Sequence, residues 1–444
     1  MDSGGATAKP ERRALFALAA AGFLLVALAP LALYFLWQTS FEGFVAAALA
    51  QGAVYAAAVY TVLRYRFDRG ALAVVFIVAV VARAIALPAP ALLSTDVARY
   101  AWDGRVQAAG VNPYRYVPAD PRLAGLRDKA IYPNINRADY AVTIYPPVAE
   151  MMFFLATRVS ESFTMMRLTM LGFEAVTVLA LLALLEHDGR PAARVLIYAW
   201  HPLPIWEFAG TGHVDAAAIA LMTLAMLAAV RDRCVLAGIA LAAGTLIKPF
   251  VLLIAPPLWR RWDWRLPAAF VATAVVCYLP YLSVGSGVLG YLGGGYQDEQ
   301  GYVDGSGFFL VSLLRHVGLP APRGLAFVIF AAVVLAAVAL AVVFRARPRQ
   351  PDPAVFLPLA AASVLLVSPH YAWYFAWLLP LLTRAPSVPL LYLTLAAFIF
   401  YLPAIKDSDD WYFTAGLWLY GGCALLAVAD LAVRARPLPI RRPA

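Results

Sequence analysis

Cysteine and charge are both scarce in this chain, and each scarcity excludes a class of protein. Only 3 of the 444 residues are cysteine, and 14% are charged. Cys234, Cys277 and Cys423 all fall in or beside apolar runs, so the sequence predicts neither a disulfide framework nor a thiolate metal site. With 63% hydrophobic residues, the chain is instead typical of an all-α polytopic membrane protein.

The net charge of +9 does not indicate a nucleic-acid partner. Most basic residues lie in short loops between apolar runs, where an excess of Lys and Arg marks the cytoplasmic side of a membrane protein. We therefore expect both termini in the cytoplasm. The loops on this side are marked by Lys9 to Arg13, Arg64 to Arg69, Arg190 and Arg194, Arg231 and Arg233, Arg260 to Arg265, Arg345 to Arg349, and Arg434 to Arg442.

The apolar runs predict about 14 transmembrane helices, several of them shorter than the usual length of about 20 residues. The first run, from Ala14, is too long for the core of a signal peptide and suits a retained span. The predicted spans are 14–38, 43–63, 71–92, 165–185, 191–208, 214–230, 234–247, 249–259, 266–284, 322–344, 353–368, 370–383, 386–403 and 411–433.

These runs divide the chain into four parts. Three N-terminal spans occupy 1–93, and an extracytoplasmic catalytic loop with juxtamembrane helices occupies 94–164. The remaining spans occupy 165–434 and include an outer loop at 285–321, and 435–444 forms a cytoplasmic tail. Within the second part, Tyr145 to Thr157 is apolar but short. We expect it to lie against or dip into the outer leaflet, and whether it spans the membrane stays open.

The hydrophilic segment from Ser94 to Thr143 is where function is expected. Hydrocarbon cannot satisfy irregular polar backbone, so this loop must lie at the membrane face or line a watery cavity. Asp96, Arg99, Tyr100 and Asp103 share one face of a predicted helix, with Ser94 or Thr95 as its N-cap.

Two carboxylates and a guanidinium on one stripe suit a general base beside a phosphate-binding cation. The alternative is a solvated face with local ion pairs.

Four stretches carry a resemblance to a known superfamily. They are STDVARYAWDGRVQAAGVNPYRY from Ser94, INRADYAVTIYPP from Ile135, HPLPIWEFAGTGHVD from His201, and SPHYAWYFAWLLP from Ser368. They resemble the GT-C glycosyltransferases, and most closely the bacterial mannosyltransferase-like branch that uses polyprenyl-phosphate sugars.

The resemblance implies a GT-C-like helical bundle in the bacterial cytoplasmic membrane, with its active site on the extracytoplasmic side. It further implies transfer of a sugar, mannose or another hexose or pentose, from a polyprenyl-phosphate donor to a hydroxyl of a lipid or glycan acceptor. The anomeric carbon is inverted. Asp96 is the implied general base, and Asp103 is expected to support it.

Two departures from the family pattern matter. The long loop follows the third predicted span rather than the first, which implies two extra N-terminal spans. Many metal-dependent members carry two acidic residues separated by one position in this loop, whereas here Asp96 is accompanied by Asp103. No cofactor or metal ligand is therefore predicted, and a divalent cation stays an open alternative.

Ten residues are predicted to bind substrate, and several of them have a plainer alternative. Lys248 joins two short apolar runs, where a Lys is costly unless it meets an anion or snorkels to the interface. His213 and Asp215 begin an apolar helix, whose N-terminus favours an anion or a simple cap. The full set is Arg99, Tyr100, Arg105, Arg137, Tyr145, His213, Asp215, Lys248, His370 and Tyr371.

Three other features of the sequence have both a functional and a structural interpretation. His370 and the aromatic residues after it suit sugar stacking or an interfacial belt. Arg83 suits a phosphate contact, but an intramembrane Arg often pairs with a buried carboxylate such as Glu174. The glycine-rich stretch 290–307 lacks the strand-to-helix context of a nucleotide loop and is expected to cover the acceptor.

Two other function classes compete with the transferase. A flippase of lipid-linked glycans also needs intramembrane cations, but internal repeats would be expected and none is evident. A glycan ligase or polymerase on another membrane fold would use basic or His residues in place of the Asp base.

Overall fold

The computed structural model describes residues 5–67, 69–345, 352–403 and 410–434. Within these ranges the chain forms helices and irregular connections, with no β-strand. The predicted all-helical fold is confirmed. The predicted tail at 435–444 and the first four residues lie outside the described ranges, so the sidedness of the termini stays a prediction.

Six described helices are long and apolar enough to cross a membrane. Many of their large apolar side chains are exposed, including Phe16 at 77% and Phe23 at 72%, as expected where a helix faces lipid rather than protein. The chain is therefore a polytopic membrane protein. The six helices are Arg12–Trp37, Phe41–Arg64, Phe163–His187, Arg265–Glu299, Gly324–Arg345 and Trp411–Ala432.

Six further apolar helices of 10–17 residues are shorter than the usual membrane-spanning length. All of them coincide with predicted spans, so the apolar pattern located them correctly while leaving open which of them cross the membrane. They are Gly70–Ala86, Asp215–Val230, Cys234–Thr245, Pro249–Leu258, Pro353–Val367 and Val388–Tyr401.

The predicted span at 191–208 is wrong as a continuous helix. Pro202 and Pro204 lack the backbone N–H that an uninterrupted helix needs, and the segment breaks there. Irregular backbone is tolerated at membrane depth only where protein surrounds it. Here every residue from Val195 to Ala220 is buried. The pieces are Ala192–Val195, Leu196–Ala199, Pro202–Pro204 and Ile205–Gly210, the last a π-helix.

Side chains from the N-terminal helices satisfy the carbonyl groups of this broken segment. Tyr55 Oη donates to Ile197 O at 2.8 Å, and Arg83 Nη1 donates to Ala199 O at 2.7 Å. Arg83 also forms a salt bridge of 2.6 Å with Glu174, which confirms the predicted intramembrane pair. Arg83 is therefore a structural cation that ties three parts of the bundle together.

The predicted span at 370–383 is also interrupted. It forms a 3₁₀ turn, Ala372–Phe375, followed by the short helix Leu378–Arg384. Arg384 is 1% exposed and pairs with Asp188 at 2.7 Å, which anchors the end of this helix inside the protein.

The part of the chain from 94 to 164 contains two packed helices, Asp96–Ala108 at the start of the polar loop and Pro147–Val159 after it. A Cβ atom at Gly104 would lie 2.5 Å from Phe153 O, so only glycine allows the two helices to approach this closely. The second helix has 13 residues, consistent with a segment that does not cross the bilayer alone. Between them lie the 3₁₀ turns Pro121–Leu126 and Tyr132–Asn134.

The remaining helical segments complete the outer loop and the C-terminal bundle. Gly285 and Gly290, with φ of 60° and 59°, interrupt the 3₁₀ segment Leu279–Gly293. The other segments are Gly295–Glu299, Phe309–His316, Leu357–Val367, Val388–Ala396, Ala397–Tyr401, Trp411–Gly416, Leu417–Gly421 and Gly422–Arg434.

Candidate active site

Asp96 begins the Asp96–Ala108 helix and keeps a partly accessible carboxylate. Its backbone N–H donates to Ser94 Oγ at 3.2 Å, while Thr95 occupies the N-cap position without a side-chain hydrogen bond. Asn136 Nδ2 donates to Asp96 Oδ1 at 2.7 Å, and Tyr145 Oη donates to Oδ2 at 3.3 Å. The Asp96 side chain is 17% exposed, so a hydroxyl group can reach it.

The loop residue after Asn136 has an unusual backbone. Arg137 adopts φ of 56°, in the left-handed region that non-glycine residues seldom occupy. Backbone N–H groups of Tyr140 and Ala141 donate to the Arg137 carbonyl at 3.4 and 3.0 Å and stabilise this turn. Strain of this kind is common where a loop fixes a functional side chain, and here it accompanies the placement of Asn136 against Asp96.

Lys248 lies close to Tyr145 and to a buried carboxylate. Its Nζ atom is 3.5 Å from Asp215 Oδ2 and 5.7 Å from the centre of the Tyr145 ring. It also lies 4.9 Å from the centre of the Tyr374 ring. Both Asp215 carboxylate oxygens are buried without a hydrogen bond to the described residues. The ammonium group of Lys248 thus lies among two aromatic rings and one carboxylate, and it can bind a further anion.

A cavity of about 430 Å³ opens beside Lys248. Its lining is mainly apolar and comes from both halves of the chain, including Phe250, Leu253, Val364 and Trp377. Tyr145 and Lys248 contribute the polar groups near Asp96, while His213 is not among the lining residues. The cavity therefore combines a mainly apolar lining with one cationic group, the ammonium of Lys248.

An aromatic cluster borders the same region. Tyr371 stacks on Trp373 with ring centres 4.7 Å apart, and Trp373 stacks on His213 at 3.9 Å. Tyr374 Oη lies 3.1 Å from Tyr296 Oη. Tyr371 is therefore connected to His213 through Trp373, and its predicted contact with substrate stays a prediction.

His213 contacts acidic residues on two sides. Its Nε2 atom lies 4.0 Å from Asp96 Oδ2, and its Nδ1 atom lies 3.1 Å from Glu207 Oε2. Gly212, with φ of 82°, makes the turn that aims the ring, and a side chain there would be strained. The predicted trio Asp96, His213 and Lys248 is thus assembled in one region by three separate segments.

Arg99 and Asp103 belong to a buried network on the same helix as Asp96. Arg99 Nε lies 2.9 Å from both Asp103 oxygens, and Arg99 Nη1 donates to Ala141 O at 3.0 Å. The two side chains are 6% and 2% exposed, which contradicts the solvated face of the alternative, while the salt bridge between them is the local ion pair that the alternative expected. Burial raises the pKa of Asp103, and the Arg99 charge opposes that rise.

A second buried carboxylate shares this network. Thr143 Oγ1 donates to Glu150 Oε1 at 2.6 Å, and Gln107 Nε2 donates to Glu150 Oε2 at 3.0 Å. Burial and then the charge of Asp103 raise the pKa of Glu150. The network stabilises the packing of the two helices, one of which presents Asp96. Asp103 therefore has a structural role, about two helical turns away from the candidate base.

Four other predicted binding residues have protein partners. Arg105 forms salt bridges of 2.8 Å with both Asp128 and Glu161, and Arg137 pairs with Glu299. The remaining two are Tyr100, which is fully buried against Tyr145 and Phe153, and His370, whose Nε2 lies 2.8 Å from Gly307 O. Their predicted contacts with substrate stay predictions.

Asn136 and Glu207 are site residues that the sequence reasoning missed. Asn136 lies in the INRADY stretch, but nothing in its spacing pairs it with Asp96. Glu207 had a detectable signal, because a Glu within an apolar run is costly unless it has a partner or a function. For metal binding, no group of three His, Cys, Asp or Glu side chains within the described ranges is arranged to hold an ion.

Comparison with known families decides the class of protein. The model of glycosyltransferase family 87 matches residues 143–369. The chain belongs to glycosyltransferase family 87. The match includes Tyr145, His213 and Lys248, and it begins after Asp96. No curated protein and no solved structure matched the chain. This family 87 member is therefore a membrane glycosyltransferase, for which a sugar donor and a glycan or lipid acceptor are implied.

Proposed function

We propose that this protein is a GT-C glycosyltransferase that uses a polyprenyl-phosphate sugar as donor. The observation that carries the proposal is the mainly apolar cavity of about 430 Å³ that is lined by Lys248 and by Tyr145, the hydrogen-bond partner of Asp96. An isoprenoid chain suits the apolar lining, and the phosphate suits the ammonium group. The preferred sugar is mannose, on the family resemblance alone, with another hexose or pentose as the alternative.

The chemistry requires one base and one anion site. Asp96 accepts the proton of the acceptor hydroxyl, and the acceptor oxygen attacks the anomeric carbon from the face opposite the phosphate. The bond from that carbon to the phosphate oxygen breaks, and polyprenyl phosphate leaves with the bonding electron pair. Lys248 stabilises the departing anion, so proton removal and leaving-group stabilisation come from two residues that both lie beside Tyr145. The anomeric configuration is inverted.

The acceptor is a hydroxyl group of a lipid or glycan. Asp96 belongs to the polar loop and is 17% exposed, which supports an acceptor that arrives from the aqueous side. The Arg137 and Glu299 pair joins that loop to the glycine-rich outer segment and supports the expectation that this segment covers the acceptor. We place the reaction at the extracytoplasmic face of the bacterial cytoplasmic membrane, with both termini cytoplasmic, because the basic loops favour that orientation.

The decisive experiment offers purified protein a panel of synthetic polyprenyl-phosphate sugars. Mannosyl, glucosyl and arabinofuranosyl donors would be supplied with membrane lipid extract as acceptor, and transfer of labelled sugar would be followed. The expected result is transfer from one polyprenyl-phosphate donor and none from the corresponding nucleotide sugar. Transfer from the nucleotide sugar alone would overturn the donor assignment.

A further inference from the structure

His213 has one buried ring nitrogen that no described group satisfies. The side chain is 1% exposed, and Nε2 has no hydrogen-bond partner among the described residues. The nearest carboxylate oxygen to it is Asp96 Oδ2 at 4.0 Å, beyond hydrogen-bonding distance. An orphaned buried nitrogen is costly, so its orientation toward Asp96 calls for an explanation.

The other ring nitrogen is held as a donor. Thr211 Oγ1 donates its single hydrogen to Glu207 O at 2.5 Å. The same hydroxyl oxygen lies 2.6 Å from His213 Nδ1, so it accepts from the ring and Nδ1 carries the hydrogen. In the neutral ring, Nε2 then has a free lone pair facing Asp96.

A second carboxylate is placed to stabilise the ring once it is charged. Glu207 Oε2 lies 3.1 Å from His213 Nδ1, and its Oε1 accepts a hydrogen bond of 2.8 Å from Tyr401 Oη. Glu207 is fully buried and lies in the π-helix Ile205–Gly210, a distortion frequent at functional sites. Trp373, stacked at 3.9 Å, fixes the plane of the ring.

We propose that His213 is the proton acceptor that acts through Asp96, with Thr211 orienting its ring and the Glu207 carboxylate, 3.1 Å away, stabilising its positive charge. The inference rests on the proposed role of Asp96 as base. Asp96 takes the proton from the acceptor hydroxyl as the new C–O bond forms. Its carboxyl group then passes that proton to His213 Nε2, a step that requires the 4.0 Å separation of Oδ2 and Nε2 to close or one water molecule to bridge it. Asp96 is thereby a carboxylate again, and the imidazolium lies between it and Glu207. When the products leave, the imidazolium returns the proton through the partly exposed Asp96 carboxylate to water.

In other carboxylate–histidine pairs a buried acid both fixes the tautomer and stabilises the charged ring. Here Thr211 fixes the tautomer, and Glu207 is the acid beside the ring. The proposed role of His213 as proton acceptor differs from the direct contact with substrate or phosphate that the sequence predicted for it. A phosphate ligand would change donor affinity when removed. A proton acceptor behind the base would change turnover.

The test compares His213→Ala with His201→Ala in the full-length protein. His201 is also fully buried but contacts Thr394 and Leu203 instead of Asp96, so it controls for loss of a buried histidine. For His213→Ala we expect kcat to fall about 100-fold, within the usual range for proton-transfer groups. The Kd for polyprenyl phosphate should stay within about twofold of the native value, on the scale of a few tenths of a kcal/mol.

Chemical rescue separates proton transfer from packing. Added imidazole should restore turnover of His213→Ala, whereas pyrazole, a ring of the same shape and much weaker basicity, should not. Neither should restore His201→Ala. Equal rescue by both rings would overturn the proposal, because it would indicate that the ring only fills space. A weakened Kd without rescue would assign His213 to the phosphate instead.

A conservative variant guards against misfolding. Glu207→Gln keeps the volume and a hydrogen-bond acceptor but removes the charge, and we expect it to lower kcat with little change in KM for the donor. Asp96→Asn serves as the reference. Full activity of Asp96→Asn would overturn the proposed base itself. An inactive Asp96→Asn beside a fully active His213→Ala would overturn the relay alone.

Discussion

The hydroxyl group of Tyr145 donates a hydrogen bond of 3.3 Å to the Oδ2 atom of Asp96. The same side chain lines the cavity that contains Lys248. One residue therefore contacts both the candidate base and the candidate anion site. Tyr145 comes just after the polar loop, so its contacts fix the position of the loop relative to the helical bundle.

Replacing Tyr145 with Phe removes this hydrogen bond while keeping the ring. A bond to a carboxylate contributes about 1.5 to 3 kcal/mol when short, and this one is long, so we expect a modest loss of about three- to tenfold in kcat. Steady-state transfer assays would measure it. Tyr60→Phe, at a 67% exposed position, is the control, and a Tyr145→Phe loss no larger than the control would dissociate the hydroxyl from catalysis.

Asp96 and Asp103 should respond differently to the same change. Asp96→Asn removes the proton acceptor with almost no change in volume, and we expect transfer to fall by about two to four orders of magnitude with donor binding intact. Asp103→Asn leaves Arg99 without its ionic partner, so it should chiefly lower the thermal midpoint. A dead Asp103→Asn beside a near-normal Asp96→Asn would mean that the base is the other carboxylate.

The sequence pattern located some of these residues and missed others for a physical reason. Asp96 was predictable because a polar loop and a helix start are local features. The pair of Arg83 with Glu174 was predictable because charges inside apolar helices need partners. Asn136 was not, since its role depends on a contact with Asp96, 40 positions away, that periodicity does not encode. Glu207 was missed although its place in an apolar run signalled a need for a partner.

The same limit explains the errors in the fold. Apolar runs identify segments that avoid water, but a run buried inside protein looks like one that faces lipid. The broken segment around Pro202 and Pro204 is buried inside protein. Its carbonyl groups are satisfied by Tyr55 and Arg83, whose helices are far away in sequence.

Lys248 should determine affinity for the anionic part of the donor. Lys248→Met keeps the aliphatic length and removes the charge, so we expect the Kd for polyprenyl phosphate to rise about 10- to 100-fold. Both the sugar donor and free polyprenyl phosphate should be affected, since each carries the anion. Exposed Lys129→Met in the polar loop is the matched control. Unchanged affinity in folded Lys248→Met would leave Lys248 as a snorkelling interface residue.

Membrane orientation can be tested by cysteine labelling in a cysteine-free background. Arg122 in the polar loop and Trp262 in a basic loop are exposed, with Trp262 at 83%. The basic-loop asymmetry predicts that an impermeant reagent added to intact cells labels Arg122→Cys and spares Trp262→Cys. Labelling of both after permeabilisation is the control. The reverse pattern would invert the proposed topology and move the active site to the cytoplasmic face.

The buried carboxylates should make stability depend on pH. Burial and the nearby Asp103 raise the pKa of Glu150 in the folded protein. The folded state therefore binds this proton more tightly than the unfolded state, and stability falls as pH rises from the unfolded pKa through the folded pKa. Above that window, the charged Glu150 costs stability.

Glu150→Gln should flatten this dependence. The amide carries no charge to desolvate and still accepts a hydrogen bond, so the variant should lose less thermal stability than the native protein as pH rises from about 5 to 8. Thermal midpoints at a fixed scan rate would measure it, with the exposed Glu186→Gln as control. If Glu150→Gln lowers the midpoint by the same amount at every pH, the carboxylate contributes through its hydrogen bonds to Thr143 and Gln107 rather than through its charge.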